Sequence, residues 1–232
     1  MGFTVKMNEK IKTLIDLAYS QIGSPYVFGA WGSLCTPALR KKYARYNPEH
    51  KDAIYKACQV LTGKAKTCEG CKYDGKLAFD CRGFTHWCLE HADIIDLYGG
   101  GTNVQYNTAS NWMAKGEIQD MPDLPCILFQ KKNKKMVHTG VYVGNKKVIH
   151  AQLGVQLSNL TNAWTHYAIP KGMYTEDEIR AAGGIILMTT LKLGSRNSSV
   201  KELQKYLKDY GYYNGDIDGA FGKKTEEAVK AF

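Results

Sequence analysis

The chain has no apolar run approaching the ~20 residues that cross a bilayer, so a transmembrane anchor is excluded. Its opening stretch, Met1–Lys10, lacks the apolar core of a signal peptide. Lys6 stands where myristoylation after Met1-Gly2 wants Ser or Thr. These absences predict a protein made in the cytoplasm and not inserted in a membrane. Acidic residues are also short: 22 Asp and Glu face 31 Lys and Arg, giving a net charge of +9 and a pI near 9.1. A basic surface favours polyanions such as nucleic acid, anionic lipid or an anionic wall polymer. Zinc-finger spacing, an RNP-like aromatic motif and a glycine-rich phosphate loop are all missing, so nucleic acid is not expected. Seven cysteines are an odd number, and no secretion signal accompanies them. Both facts argue against a disulfide framework and direct attention to a functional thiol. What is present is an ordinary globular composition, 44% hydrophobic and 23% charged, which rules out a disordered or fibrous chain. The 232 residues give room for one large domain, or one domain with a small module.

Apolar positions Ile11, Leu14, Ile15, Ala18 and Ile22 recur at helical spacing, with Asn8 as a cap and Gly23 as a stop. A loop rich in glycine and aromatics follows, Ser24–Gly32. The segment Ser33–Phe79 is basic, with ten Lys or Arg against four Asp or Glu, and carries helical patterns over Pro37–Tyr46 and Pro48–Thr62. A further helix is predicted to begin at Cys81, with Phe84, Trp87, Cys88 and His91 on it. Strand-like stretches come later, at Cys126–Phe129, Met136–Val143 and Val148–Ala151. Helices first and strands second predict an α+β domain over residues 1–175. A composition change over 176–190 reads as a linker. Leu191–Phe232 is then a small all-α unit, with a capping box at Ser199–Glu202 and a helical face of Val200, Leu203, Leu207 and Tyr210. Its second helix is predicted near Thr225, and Asp216 and Asp218 read as a turn rather than a calcium loop.

Cys81 falls in the first turn of its predicted helix, where free N–H groups and the helix dipole favour a thiolate and can serve as an oxyanion hole. Taken alone this signal is weak, because a free cysteine is more often a buried small hydrophobe than a nucleophile. The predicted hairpin offers a base. With a three-residue loop, Val143 opposes Lys147 and Gly140 opposes His150, so His138 and His150 share one face with Gly140 between them. A slip of one residue would turn them to opposite faces. Same-face placement lets His138 act as base while His150 holds its ring; otherwise both are strand histidines satisfied locally.

Asp80-Cys81-Arg82-Gly83-Phe84 resembles the D-C-S-G-[FLV] nucleophile motif of the NlpC family of papain-like peptidoglycan endopeptidases. His138–Asn145 with Val148–Ala151 resembles that family's H-V-G-[IV]-Y-[VI]-G-N-G…[MV]-I-H-A hairpin, and Pro25–Gly29 its P-Y-x-[WF]-G segment. The resemblance implies a papain-like domain of N-terminal helices packed on an antiparallel sheet. It also implies that Cys81 is the nucleophile, His138 the general base and acid, and His150 the orienting group. Tyr26, Asp80 and Arg82 would then face substrate. Arg82 departs from the family's usual Ser, Leu124–Phe129 replaces its G-D-L-V-F-F strand, and the 33–79 insertion is far longer than usual. Leu193–Val229 resembles the peptidoglycan-binding helical module up to its third helix. As read, this unit either packs on the first domain or belongs to an incomplete sequence.

The resemblance implies a cysteine endopeptidase of bacterial peptidoglycan stem peptides, cleaving between D-glutamate, through its γ-carboxyl, and the diamino acid. It would act on the cell wall as a phage or prophage lysin, as a monomer and with no cofactor needed for catalysis. The alternatives are an amidase or crossbridge peptidase on the same scaffold, or a non-catalytic wall-binding protein. Peptidoglycan is the expected partner, with anionic wall polymers drawn to the basic insertion. Within that insertion Cys68-Glu69-Gly70-Cys71 has the spacing of half a zinc knuckle. Cys35 and Cys58 can complete a structural zinc site, with His50 as a substitute ligand. A disulfide or free thiols are the other readings. Cys88 and Cys126 are expected in the core.

Overall fold

A computed structural model describes residues 9–95, 100–184, 191–196 and 198–232. They fall into two compact units, one up to residue 186 and one from 187 onward.

The first unit opens with helix α1 (Glu9–Ser20), which buries Ile11, Leu14 and Ala18. The cap expected at Asn8 lies outside the described residues. Strand β1 (Trp31–Leu34) leads to α2 (Pro37–Tyr46), where Thr36 caps by accepting from the Leu39 N–H at 3.0 Å and Pro37 takes the first turn. The predicted helix over Pro48–Thr62 is shorter than the pattern suggested. A 3₁₀ turn at Pro48–His50 leads into α3 (Lys51–Lys56), which winds out as the Cys58 N–H bonds the Tyr55 carbonyl and turns Cys58 inward. Strand β2 (Leu77–Phe79) pairs antiparallel with β1, closing the insertion at its base. Helix α4 (Cys81–His91) comes next, with Gly83–Leu89 all buried.

Helix α5 (Thr102–Asn107) and strand β3 (Trp112–Glu117) precede the hairpin strands β4 (Cys126–Lys132), β5 (Lys135–Tyr142) and β6 (Lys147–Ala151). Strands β7 (Val155–Asn159) and β8 (His166–Pro170) complete, among the described residues, a six-stranded antiparallel sheet in the order β3-β8-β4-β5-β6-β7. The architecture is α+β with helices packed on an antiparallel sheet. β4 runs through the middle of the core, and Cys126, Ile127, Leu128 and Phe129 have no exposed surface. A strand buried on both faces reads as a continuous apolar run, as this one does. Trp112 and Tyr106 set their edges against Phe129 at ring centroid distances of 5.9 and 5.0 Å. Cys88 and Cys126 are core residues, as expected.

The stretch expected as a linker begins instead with α6 (Glu176–Ala181), entered through a capping box between Thr175 and Glu178. Fully buried Ile179 and the Tyr174 hydroxyl, which donates to the Pro125 carbonyl at 3.1 Å, tie this region to the first unit. Residues 185–190 lie outside the described residues.

In the second unit α7 (Ser198–Asp209) buries Val200 and Leu207 while Tyr210 is exposed, and α8 (Lys223–Ala231) follows. The capping box read into Ser199–Glu202 needs a side chain outside the described residues. Buried Gln204 holds the unit together. Its amide NH₂ reaches the Tyr213 hydroxyl, Asp218 carboxylate, Ala220 carbonyl and Thr225 hydroxyl within 3.2 Å, and its oxygen accepts from the Gly219 N–H at 2.9 Å. Asp218 accepts from the Ala220 N–H at 2.8 Å, so this acidic pair makes a turn. Among the described residues no helix is long and apolar enough to cross a membrane.

Candidate active site

Asp80 is the N-cap of α4. One carboxylate oxygen accepts from the Gly83 N–H at 2.6 Å and the other from the Gly29 N–H at 2.9 Å. Its own N–H bonds the Ala30 carbonyl at 2.7 Å. One residue therefore clamps the loop carrying Tyr26 to the helix carrying Cys81. The clamp is close: a Cβ at position 83 would stand 2.1 Å from the Ala30 carbonyl oxygen, so only glycine fits there. Tyr26 and Asp80 sit near enough to Cys81 that their charges and its own affect one another's protonation. Burial raises the Asp80 carboxyl above its usual range, against the Gly83 and Gly29 N–H groups and Arg82, which favour its ionised form. Asp80, expected to face substrate, has both oxygens engaged with the main chain.

The hairpin supplies the other half. Val141 pairs with Ile149, Tyr142 with Val148, and the Val143 N–H bonds the Lys147 carbonyl at 3.1 Å, so Gly140 stands opposite His150. His138 Nε2 lies 2.8 Å from His150 Nδ1, and His150 Nε2 lies 3.0 Å from the Ser158 hydroxyl. A Cβ on Gly140 would come within 2.8 Å of His150 Cβ and 3.0 Å of the Trp164 ring, so the glycine creates the room in which these rings meet. Trp164 lies against both histidines, tilted over His138 at 5.5 Å and edge-on to His150 at 5.4 Å.

The halves meet at the thiol. Cys81 Sγ lies 3.8 Å from the Thr102 hydroxyl, and the main chain of Thr139, next to His138, hydrogen-bonds the thiolate form. The sequence reading expects the helix N-terminus to favour that thiolate. Burial wins instead: together with the Asp80 charge it pushes the thiol up to about 11, against the opposing pull of Thr102, Thr139 and Arg82. Burial, with His150 as a lesser cause, pulls the His138 imidazole down to about 4. At neutral pH the resting pair is a thiol and a neutral imidazole. Since His138 Nε2 faces His150, Nδ1 is the nitrogen left for a proton from sulfur. That assignment puts the His138 proton on Nε2, donated to His150 Nδ1, and the His150 proton on Nε2, donated to Ser158.

Cys81, Tyr26, Asp80 and Arg82 thus gather at the head of α4, and His138 and His150 pair on the hairpin. Thr102, Thr139, Ser158 and Trp164 escaped the sequence reading. No spacing marks them, because each reaches the site from a separate element. Trp164 also lines an open cleft of about 590 Å³ with Glu117, Lys131, Lys134, Asn162 and His166, whose walls do not include Cys81, His138 or His150.

A model of the NlpC/P60 family matches residues 62–171, and one described as "Putative peptidoglycan binding domain" matches residues 196–232. The chain carries an NlpC/P60 domain and a C-terminal peptidoglycan-binding domain. The NlpC/P60 match spans Cys81, His138 and His150, while α1 and Tyr26 precede it. Among solved structures, the NlpC/p60 domain of the peptidoglycan hydrolase SagA is similar at 18% identity, with 68% of this chain and 97% of that one covered and a TM-score of 0.42. The P60 domain of an antigen from M. avium paratuberculosis is similar at 14% identity, 69% and 92% coverage and a TM-score of 0.42. RipD from Mycobacterium tuberculosis, described as a non-catalytic NlpC/p60 domain protein adapted to peptidoglycan binding, is similar at 16% identity, 70% and 97% coverage and a TM-score of 0.42. No curated protein matches the chain.

Proposed function

We propose that this NlpC/P60 protein is a cysteine endopeptidase that cleaves bacterial peptidoglycan stem peptides, at the bond joining the D-glutamate γ-carboxyl to the diamino acid. The observation that carries the reading is the 2.8 Å contact between His138 Nε2 and His150 Nδ1, beside a thiol held on the main chain of Thr139. His138 Nδ1 takes the Cys81 proton as Sγ attacks the amide carbonyl carbon. The Cys81 main-chain N–H, at the head of α4, receives the oxyanion, since the Gly83 and Phe84 N–H groups are already bonded to Asp80. His138 then returns the proton to the leaving amine, the C–N bond breaks and a thioester remains. Water, deprotonated by the same nitrogen, hydrolyses the thioester and restores the thiol. His150 holds the ring of His138 in the tautomer this sequence requires, and Ser158 holds that of His150. Tyr26 and Arg82 flank the thiol on the substrate side. Residues 191–232 hold the enzyme on the wall, and a phage or prophage lysin is the setting that suits the pair of domains.

The test is clearing of a cell-wall suspension combined with mass spectrometry of the released fragments. The expected products carry a new D-glutamate carboxyl and a free diamino-acid amine, and the Cys81→Ala variant releases none. A free muramoyl lactyl group would instead assign an amidase, and a cut bridge a crossbridge peptidase. Binding to walls without any fragment would make this a non-catalytic binder.

A further inference from the structure

The insertion between β1 and β2 shares a small cluster with the preceding loop and with β2: Ala44 and Ile54 meet Val27, Ala30 and Ala78, with Cys35, Leu39, Tyr43 and Tyr55 packed against them. Beside it lies a cavity of about 10 Å³, close to the space of a single atom, lined by Cys35, Cys58, Cys68, Cys71 and Arg40 among others. Three separate segments bring those cysteines there: the entry to α2, the exit from α3, and the tight turn in which the Cys71 N–H bonds the Cys68 carbonyl at 2.9 Å. All four are free thiols, and each of Cys35 and Cys68 lies within electrostatic reach of the other three.

We propose that Cys35, Cys58, Cys68 and Cys71 form a structural tetrathiolate zinc site that holds the insertion closed. Zinc prefers four sulfurs arranged tetrahedrally at about 2.3 Å, and a Cys-x₂-Cys turn supplies two of them from one side. Arg40 gives the second, independent argument. Its side chain is only 1% exposed, and its guanidinium donates to the Ile54 carbonyl at 2.7 Å and to Cys35 Sγ at 3.5 Å. A buried cation needs a compensating negative charge. Asp74, which also lines the cavity, offers one negative charge; neutral thiols or two disulfides add none, whereas four thiolates around one Zn²⁺ carry a net charge of −2. The balance is simple: one Zn²⁺ enters, four S–H bonds give up their protons to water, and four Zn–S bonds form. Affinity therefore rises with pH. Among the described residues no three His, Cys, Asp or Glu groups are already set to hold a metal ion, so binding must draw the sulfurs inward. Cys35, Cys68 and Cys71 are half-buried and Cys58 is buried.

The full chain, purified without added metal, should carry close to one zinc per molecule by elemental analysis. Its four insertion thiols should resist a thiol reagent until a mercurial releases the ion. Metal-free protein with those thiols readily titrated, protein with two disulfides by intact mass, or iron in place of zinc would each overturn the proposal. Exchange with cobalt should produce sulfur-to-metal charge-transfer absorption, and its absence in cobalt-loaded protein counts against thiolate ligation. Cys71→Ser should drop the zinc content to near zero and admit protease between residues 33 and 79. Arg40→Lys should keep zinc, while Arg40→Met, with all ligands intact, should bind it on the order of 10–100-fold more weakly. Unchanged affinity in Arg40→Met would remove the charge-matching argument.

Discussion

The sheet that carries the two histidines and the insertion that precedes the nucleophile are held together differently. Ile127, Leu128, Phe129, Val141, Ile149 and Ala168 are wholly buried, and Trp112 and Tyr167 are 1% exposed, so the sheet is stabilised by apolar packing along its length. The insertion buries little: Arg40, Ala44, Ile54 and Cys58, with Ala78 and Phe79 of β2 at its base. Its net charge of +6 comes from ten basic residues against four acids. The insertion has its border with α4 and with the loop before β1. Trp31 stacks on His86 of α4 at 5.5 Å, and Phe28 on His50 at 3.7 Å, so the weakly cored segment abuts the loop that carries Tyr26. Position relative to the thiol does not require the same kind of support as the thiol itself.

Activity should divide along that border most sharply. Cys81→Ala should lose on the order of 10⁴-fold or more in turnover of soluble muropeptides, and His138→Ala a comparable amount, with unfolding transitions intact. Cys58→Ser in the insertion should lower turnover far less. A Cys81→Ala protein that still turns over substrate, or a Cys58→Ser protein as inert as it, erases the division.

Stability is the next contrast. Leu128→Ala removes a wholly buried side chain from the central strand and should cost about 2–5 kcal/mol, read from the denaturant midpoint. Leu39→Ala, at a partly buried position of the insertion, should cost about 1 kcal/mol or less of global stability. It should nevertheless speed protease cleavage between residues 33 and 79, because that region opens on its own. Equal losses would mean that the two regions unfold as one.

Proton affinity sharpens the description of the sheet side. The His138 imidazole is pulled down to about 4, so the base remains neutral and competent well below the ordinary histidine value. The acid limb of kcat/KM should lie near pH 4 rather than 6.5. His150→Asp would place a negative charge beside His138, favour the imidazolium and move that limb upward by about 1–3 pH units. A limb that stays put in His150→Asp separates the two rings functionally.

The smallest effect belongs to the insertion's charge. Screening shortens from about 10 Å at 0.1 M salt to about 3 Å at 1 M, so cleavage of intact walls should slow modestly as salt rises. Replacing the exposed Lys41 and Lys42 with Glu should flatten this dependence without altering rates on small muropeptides. Identical salt curves would remove the steering role.

Local signals are legible in the sequence and distant ones are not. Pro37–Tyr46 matched its helix because Thr36 and Pro37 mark its start. The hairpin register followed from one loop length and placed Gly140 opposite His150. By contrast β3, β7 and β8 are short and hard to tell from loop: β7 buries only Val155, and β8, paired on both sides in the sheet, is buried from Tyr167 to Pro170. The helix projected through Thr62 ended early because Cys58 is drawn inward. Thr102, Ser158 and Trp164 approach the thiol and rings from separate elements, a convergence that no window of sequence contains.

The clamp at Asp80 has a kinematic consequence. It fastens Tyr26, Cys81 and the head of α4 together. The same loop is laced to β7 by the Gly23 N–H on the Val155 carbonyl and the Val155 N–H on the Ser24 carbonyl, both at 2.8 Å. β7 carries Ser158, which holds His150, which in turn holds His138. Nucleophile and ring pair thus belong to one hydrogen-bonded frame, and their spacing is set before a peptide arrives.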